Sequence, residues 1–132
     1  MRNLLGKIKI ITDNVKILHR NVIGMEWPYV HPNLADYYEK LTDMEDDVAE
    51  MLILLGESDM NMSEAVNVYN SINVKKYTSR EAYIITQHFF DDLIKHAMEC
   101  RDSIPADCQS KLDEYVFWLR KEAYYKLNAL LS

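Results

Sequence analysis

Glycine and proline are scarce, with three of each in 132 residues. So few turn formers leave a chain without the punctuation that a hairpin-rich sandwich or barrel needs. The two cysteines, Cys100 and Cys108, form neither a CxxC pair nor a disulfide ladder. That excludes a stapled secreted scaffold and a four-cysteine zinc site. No apolar run approaches the length of a membrane span. The opening residues, Met1 to Arg20, are interrupted by charge every few positions, unlike a signal peptide. A cytoplasmic protein with reduced thiols is the expectation. Gly-rich phosphate loops, nucleophile elbows and HExxH motifs are missing. So is any Glu-x-x-His pair, which argues against a di-iron site in the core of a helical bundle. Positive charge is short as well. The net charge is −6 and neither end carries a basic extension, so direct DNA binding is not expected.

What the chain has is helix formers and apolar residues, 48% of the total. That is enough for a core without staples, and the whole of residues 1–132 reads as one domain. Four amphipathic segments are predicted. The first runs from about Arg2 to Ile23, with Leu4, Ile8, Ile11, Val15, Leu18 and Val22 on one face and Gly24 ending it. A linker from Met25 to Val30 follows. The second segment runs from about His31, with Pro32 in its first turn, to Leu55, with Gly56 as its stop. Its inner stripe is Leu34, Tyr38, Leu41, Met44 (or Glu45), Val48, Met51 (or Leu52) and Leu55. Residues 57–77 form a long crossover in which Ser63 to Tyr69 is predicted as a short helix. The third segment opens on Thr78-Ser-Arg-Glu81, a capping box. Ala82, Ile85, Phe89, Leu93, Ala97 and Cys100 line its inner face, and Ile104-Pro105 ends it. The fourth runs from about Ala106 to Leu130, with Leu112, Val116, Leu119, Ala123, Leu127 and Leu130 facing inward. The expected fold is all-α: a four-helix bundle of ferritin-like connectivity, with a short extra helix in the long crossover between helices 2 and 3.

His19, His31, Asp46 and Glu50 are the candidate metal ligands and catalytic residues. Imidazole and carboxylate are the donors that suit ferrous and ferric iron. Asp46 and Glu50 are four apart and share one helix face. His19 closes the first helix and His31 opens the second, so the linker lets the imidazoles converge. His31 and Asp46, fifteen residues apart in one helix, lie roughly 22 Å from each other at about 1.5 Å per residue. One chain cannot bring all four to one ion. If they share a site, two chains supply it, and a twofold axis creates two equivalent sites. His88, Asp91, Asp92 and His96 also fall on neighbouring turns, a spacing that fits an exposed subunit-contact face better than a metal site.

The pattern His19, His31, Asp46, Glu50 resembles the ferroxidase residues of the Dps miniferritins, with no gap needed. His19-Arg-Asn-Val-Ile-Gly24 is similar to that family's H-W-N-V-x-G stretch. Asp46-Asp-Val-Ala-Glu50 followed by Leu55-Gly56 resembles its D-x-x-A-E-R…L-G segment. Leu112 to Leu119 looks like its final helix, with Trp118 as the tryptophan. The resemblance is detailed over residues 18–56. It implies a dodecameric shell built from twofold dimers, with iron as Fe(II) and Fe(III) handled at inter-subunit sites. It also implies hydrogen peroxide as oxidant and a ferric mineral stored inside, protecting against oxidative damage. Two positions depart from the family. Ala35 stands where an acidic residue usually follows the second histidine, and Asp36 beside it is turned about 100° away. Arg20 replaces the tryptophan after the first histidine. These departures motivate the alternative of a Dps-like structural or binding shell with weak or no ferroxidase activity.

Overall fold

The apolar positions of the first segment recur at helical spacing, and they fold as α1, Arg2–Asn21, burying the whole predicted stripe together with Leu5, Ile10 and Ile17. In the computed structural model, which describes Met1–Ser132, the order continues as β1 (Val22–Ile23), α2 (Trp27–Leu54), α3 (Met62–Ala65), β2 (Tyr77–Thr78), α4 (Ser79–Arg101), α5 (Ala106–Arg120), a π-helical turn (Lys121–Lys126) and α6 (Leu127–Leu131). The long helices α1, α2, α4 and the α5–α6 unit form the bundle. The connection from α2 to α4 crosses over, with α3 inside it. One apolar cluster runs through all four. Each fully buried Leu, Ile or Phe in it contributes roughly 1.5–3 kcal/mol relative to exposure.

Three boundaries differ from the sequence expectation. The helix starting at His31 in fact begins at Trp27, so Pro28 rather than Pro32 occupies the first turn. Gly24, at φ 116°, makes the sharp turn that frees Trp27 to start the helix. The end of the first segment, Val22–Ile23, is extended and pairs in parallel with Tyr77–Thr78. The short helix in the crossover is Met62–Ala65, capped by the Asn61 side chain on Glu64 N–H, so it starts and ends earlier than Ser63 to Tyr69. The Thr78–Glu81 capping box is formed in both directions.

The last helix departs most. Leu127 N–H bonds to Glu122 O, five residues back, and this widens the turn. The carbonyl of Ala123 thereby loses its usual donor, and Gln87 Nε2 from α4 replaces it at 2.8 Å. One additional residue in the turn rotates everything beyond it. Leu130, expected inside, is 53% exposed, and Leu131 packs against the core in its place. A similar choice between neighbours arises in α2. Tyr37, not Tyr38, is the core residue, edge-on to Phe90 and Trp118 at 5.0 and 5.9 Å.

The crossover is tied to α1 by polar groups. Arg2 donates to Ser58 O, Asp59 O and Glu64. Buried Asn14 donates to Asn70 O and accepts from Ile72 N–H. Between them Gly6 lets the chain approach closely: a Cβ there would sit 2.8 Å from Met60 Sδ and 3.0 Å from Val68 Cγ2. Gly6→Val is expected to lower unfolding free energy by about 1–3 kcal/mol through overpacking. Urea denaturation followed by circular dichroism measures it, and an unchanged midpoint would contradict this packing.

Candidate metal centre

The end of α1 and the start of α2 lie side by side because the turn at residues 22–26 reverses the chain within five residues. This brings His19 and His31 together. His19 Nδ1 lies 2.6 Å from His31 O, and His31 Nδ1 lies 2.8 Å from His19 O. A carbonyl only accepts, so each Nδ1 must carry a hydrogen and donate it. The tautomer of both rings follows: each Nε2 of the neutral imidazole keeps its lone pair free. The rings stack with centroids 3.7 Å apart and planes 19° from parallel. Trp27 stacks on the outer face of His31 at 4.4 Å. Tyr38 meets His19 edge-on at 5.3 Å.

His19 is half-buried, and its pKa is lowered from 6.5. Burial is the main cause. The bond to His31 O opposes it, and repulsion from His31 and from Arg20 adds to it. A neutral imidazole with a fixed tautomer is the form that binds metal.

Asp46 and Glu50 sit on one exposed face of α2. Their acidic neighbours are engaged differently: Glu45 pairs with Lys9, and Asp47 accepts from the Tyr115 hydroxyl beside Lys111. Asp46 and Glu50 make no such pair. His31 and Asp46 both belong to continuous α2, which keeps them roughly 22 Å apart at its rise per residue. Nowhere in the chain do three His, Cys, Asp or Glu side chains converge on a common point. The structure therefore brings the two histidines together and the two carboxylates together, as separate donor pairs. Ala35 is half-buried, and Asp36 and Arg20 are exposed.

Within one chain the second set, His88, Asp91, Asp92 and His96, does not converge. Asp91 is held by Lys95 and the Tyr124 hydroxyl, Asp92 accepts from Tyr69 at 2.6 Å, and His88 is exposed. Cys100 and Cys108 are free thiols, and burial raises the pKa of the latter. No helix is long and apolar enough to cross a membrane.

The sequence pattern places Trp27 in a linker, and its stacking on His31 is a finding of the structure. The signal was present: Trp27, His31 and Tyr38 are spaced i, i+4 and i+11 and share a face once the helix starts at Trp27.

No family model matches this sequence, and no curated protein sequence matches it. Solved structures do. Antigen TpF1 from Treponema pallidum superposes with a TM-score of 0.94 at 22% identity, covering 99% of this chain and 88% of that one. A Dps protein from Bacillus brevis gives 0.89 at 19% identity, covering 99% and 91%. The fold is the Dps fold. The Dps protein of Vibrio cholerae O1, described as a member of a broad superfamily of ferritin-like diiron-carboxylate proteins, gives 0.74 at 21% identity, covering 99% and 86%. In this Dps-like chain the short helix α3 occupies the crossover between the second and third long helices, as the sequence led one to expect.

With a lowered pKa, folded His19 binds a proton less readily than the unfolded chain. Stability from this group is full above 6.5 and falls as pH drops through 6.5 toward the folded value. In metal-free protein, melting temperature should decline over that window, and His19→Gln should flatten the decline. Nitrogen-15 spectra at neutral pH should show both rings protonated at Nδ1. Protonation at Nε2 in either ring would overturn the tautomer assignment.

Proposed function

We propose that this protein is an iron-binding ferroxidase and iron-storage cage protein, a single domain of residues 1–132 acting in the cytoplasm. Its sites lie between subunits: His19 and His31 from one chain and Asp46 and Glu50 from a twofold-related chain hold the ferrous substrate. Twelve chains, as six twofold dimers, enclose the ferric product.

The observation that carries the reading is the stacked histidine pair, with both Nε2 lone pairs free, on a Dps fold. Two neutral imidazoles bind ferrous iron readily, and two carboxylates stabilise the ferric state more than the ferrous one. Four protein ligands leave positions around iron open to an oxidant. Hydrogen peroxide accepts one electron from each of two ferrous ions. Its O–O bond breaks, both oxygens end at the level of water, and hydrolysis of the ferric product releases protons. The chain's own part is to fix imidazole tautomers and to supply anionic donors on a stiff helix.

One observation favours the alternative of a Dps-like shell with weak or no oxidation. The positive charge of Arg20 acts on His19 and so opposes a divalent cation there as it opposes a proton.

Anaerobic Fe(II) titration and peroxide-driven oxidation, followed by absorbance, separate the two readings. His19→Ala and Glu50→Ala should each weaken Fe(II) binding by about tenfold or more. Unchanged uptake in both would sink the ferroxidase reading. Arg20→Trp should raise the oxidation rate if Arg20 impairs the site. Sharing between chains has its own test, in which a His19→Ala/His31→Ala chain is co-assembled with an Asp46→Ala/Glu50→Ala chain. Random pairing makes half of the dimers mixed, each with one intact site of two, so about a quarter of the wild-type activity should return. No return, with assembly intact, would mean that the four ligands do not meet across chains.

A further inference from the structure

A cavity of about 460 Å³ opens where the start of α2, the start of α4 and the end of the last helix meet. Its α2 residues, Tyr29, Val30 and Asn33, lie on the side of that helix opposite His31 by helical periodicity. It is therefore separate from the metal centre, and its size is that of a small-molecule site.

Its polar lining holds a surplus of donors. Lys126 Nζ gives a hydrogen to Asn33 Oδ1 at 2.8 Å, and Asn33 Nδ2 gives one to the Tyr83 oxygen at 3.1 Å. The Tyr83 hydroxyl hydrogen has no acceptor. Burial raises the Tyr83 pKa, so that hydrogen stays in place. Arg80 spends one N–H on Leu131 O at 3.1 Å, and the rest of its guanidinium is unpaired. Ser79 Oγ, on the same wall, is the one buried side-chain polar atom in the chain without a partner. Arg80 is exposed, whereas Tyr83 is buried and Ser79 half-buried, and it is buried groups without partners that mark a missing ligand or water. Glu26 is the sole acid in the lining, against Arg80 and Lys126, but Lys126 also pairs with Glu122 at 3.7 Å, which leaves these groups without net charge and Arg80 as the cation with spare donors. The first turn of α4 adds the positive end of a helix dipole. Opposite these groups stand the apolar side chains of Val30, Leu130 and Leu131.

We infer that this cavity binds a small amphipathic monocarboxylate, with its head at Arg80 and Tyr83 and its apolar body against Val30, Leu130 and Leu131. The spare N–H groups of one guanidinium match one carboxylate. The apolar walls reject a bare anion such as acetate, and the unspent donors reject a neutral alcohol of the same length.

The test is isothermal titration of the assembled full-length protein, free of iron, with hexanoate, acetate and hexan-1-ol. Hexanoate should saturate at one per chain. Acetate and hexan-1-ol should bind at least about tenfold more weakly, the worth of one charge-assisted hydrogen bond or of a buried alkyl chain. Arg80→Gln should weaken hexanoate by a similar factor, Arg80→Lys should restore part of it, and Tyr83→Phe should weaken it independently. Circular dichroism and solution mass verify that each variant keeps its fold and assembly. No saturable heat with hexanoate overturns the inference, including the case in which a second copy of the chain covers the cavity in the assembly. Equal binding of hexan-1-ol, or hexanoate binding untouched in both Arg80→Gln and Tyr83→Phe, overturns it as well.

Discussion

Helix α1 ends with carbonyls that have no donor within their own helix, and α2 begins beside it across a five-residue turn. The His31 ring donates to one of those carbonyls, and the His19 ring donates to the backbone of α2 in return. The same two bonds set the angle between the helices, stack the rings and decide which nitrogen of each ring is free. Structural need and chemical readiness are thus met by one pair of contacts. Removing either ring disturbs a helix junction as well as a donor set, so the loss of one histidine reaches beyond its own nitrogen.

α2 performs the second task. An unbroken helix from Trp27 to Leu54 acts as a ruler, and it holds the histidine end and the carboxylate end at a separation that a single chain cannot close. Acidic residues along the ruler differ in availability. Glu45 and Asp47 are tied to Lys9, Tyr115 and Lys111, whereas Asp46 and Glu50 point outward unpaired. Acidic residues that look alike in the sequence are thus divided by their partners into anchoring groups, Glu45 and Asp47, and open ones, Asp46 and Glu50.

Much of the fold was legible. The stripes of α1 and α4 follow helical spacing, and the Thr78–Glu81 box marks a real boundary, whereas the helix expected to run up to Gly24 ends at Asn21. These are local signals, set by spacing and by backbone needs within a few residues. What was not legible depends on distant partners. Pro32 and Pro28 both suit a first helical turn, and only the structure shows that α2 starts at Trp27. The choice of Tyr37 over Tyr38 rests on Phe90 and Trp118. The pairing of Val22–Ile23 rests on residues more than fifty positions away. At the candidate centre the expected convergence of His19 and His31 is what the structure shows. Their mutual bonds to backbone, and the place of Trp27 in the stack, follow from three-dimensional proximity that spacing does not encode.

The π-helical turn near the end of the chain has a consequence for how this protein relates to others. Such a turn holds one residue more than an α-helical turn while its ends stay docked. Gln87 stabilises the carbonyl that the wider turn orphaned, so the bulge is supported by α4 rather than merely tolerated. Beyond Lys121 an ungapped alignment to a bundle lacking the bulge would match each residue to the wrong face.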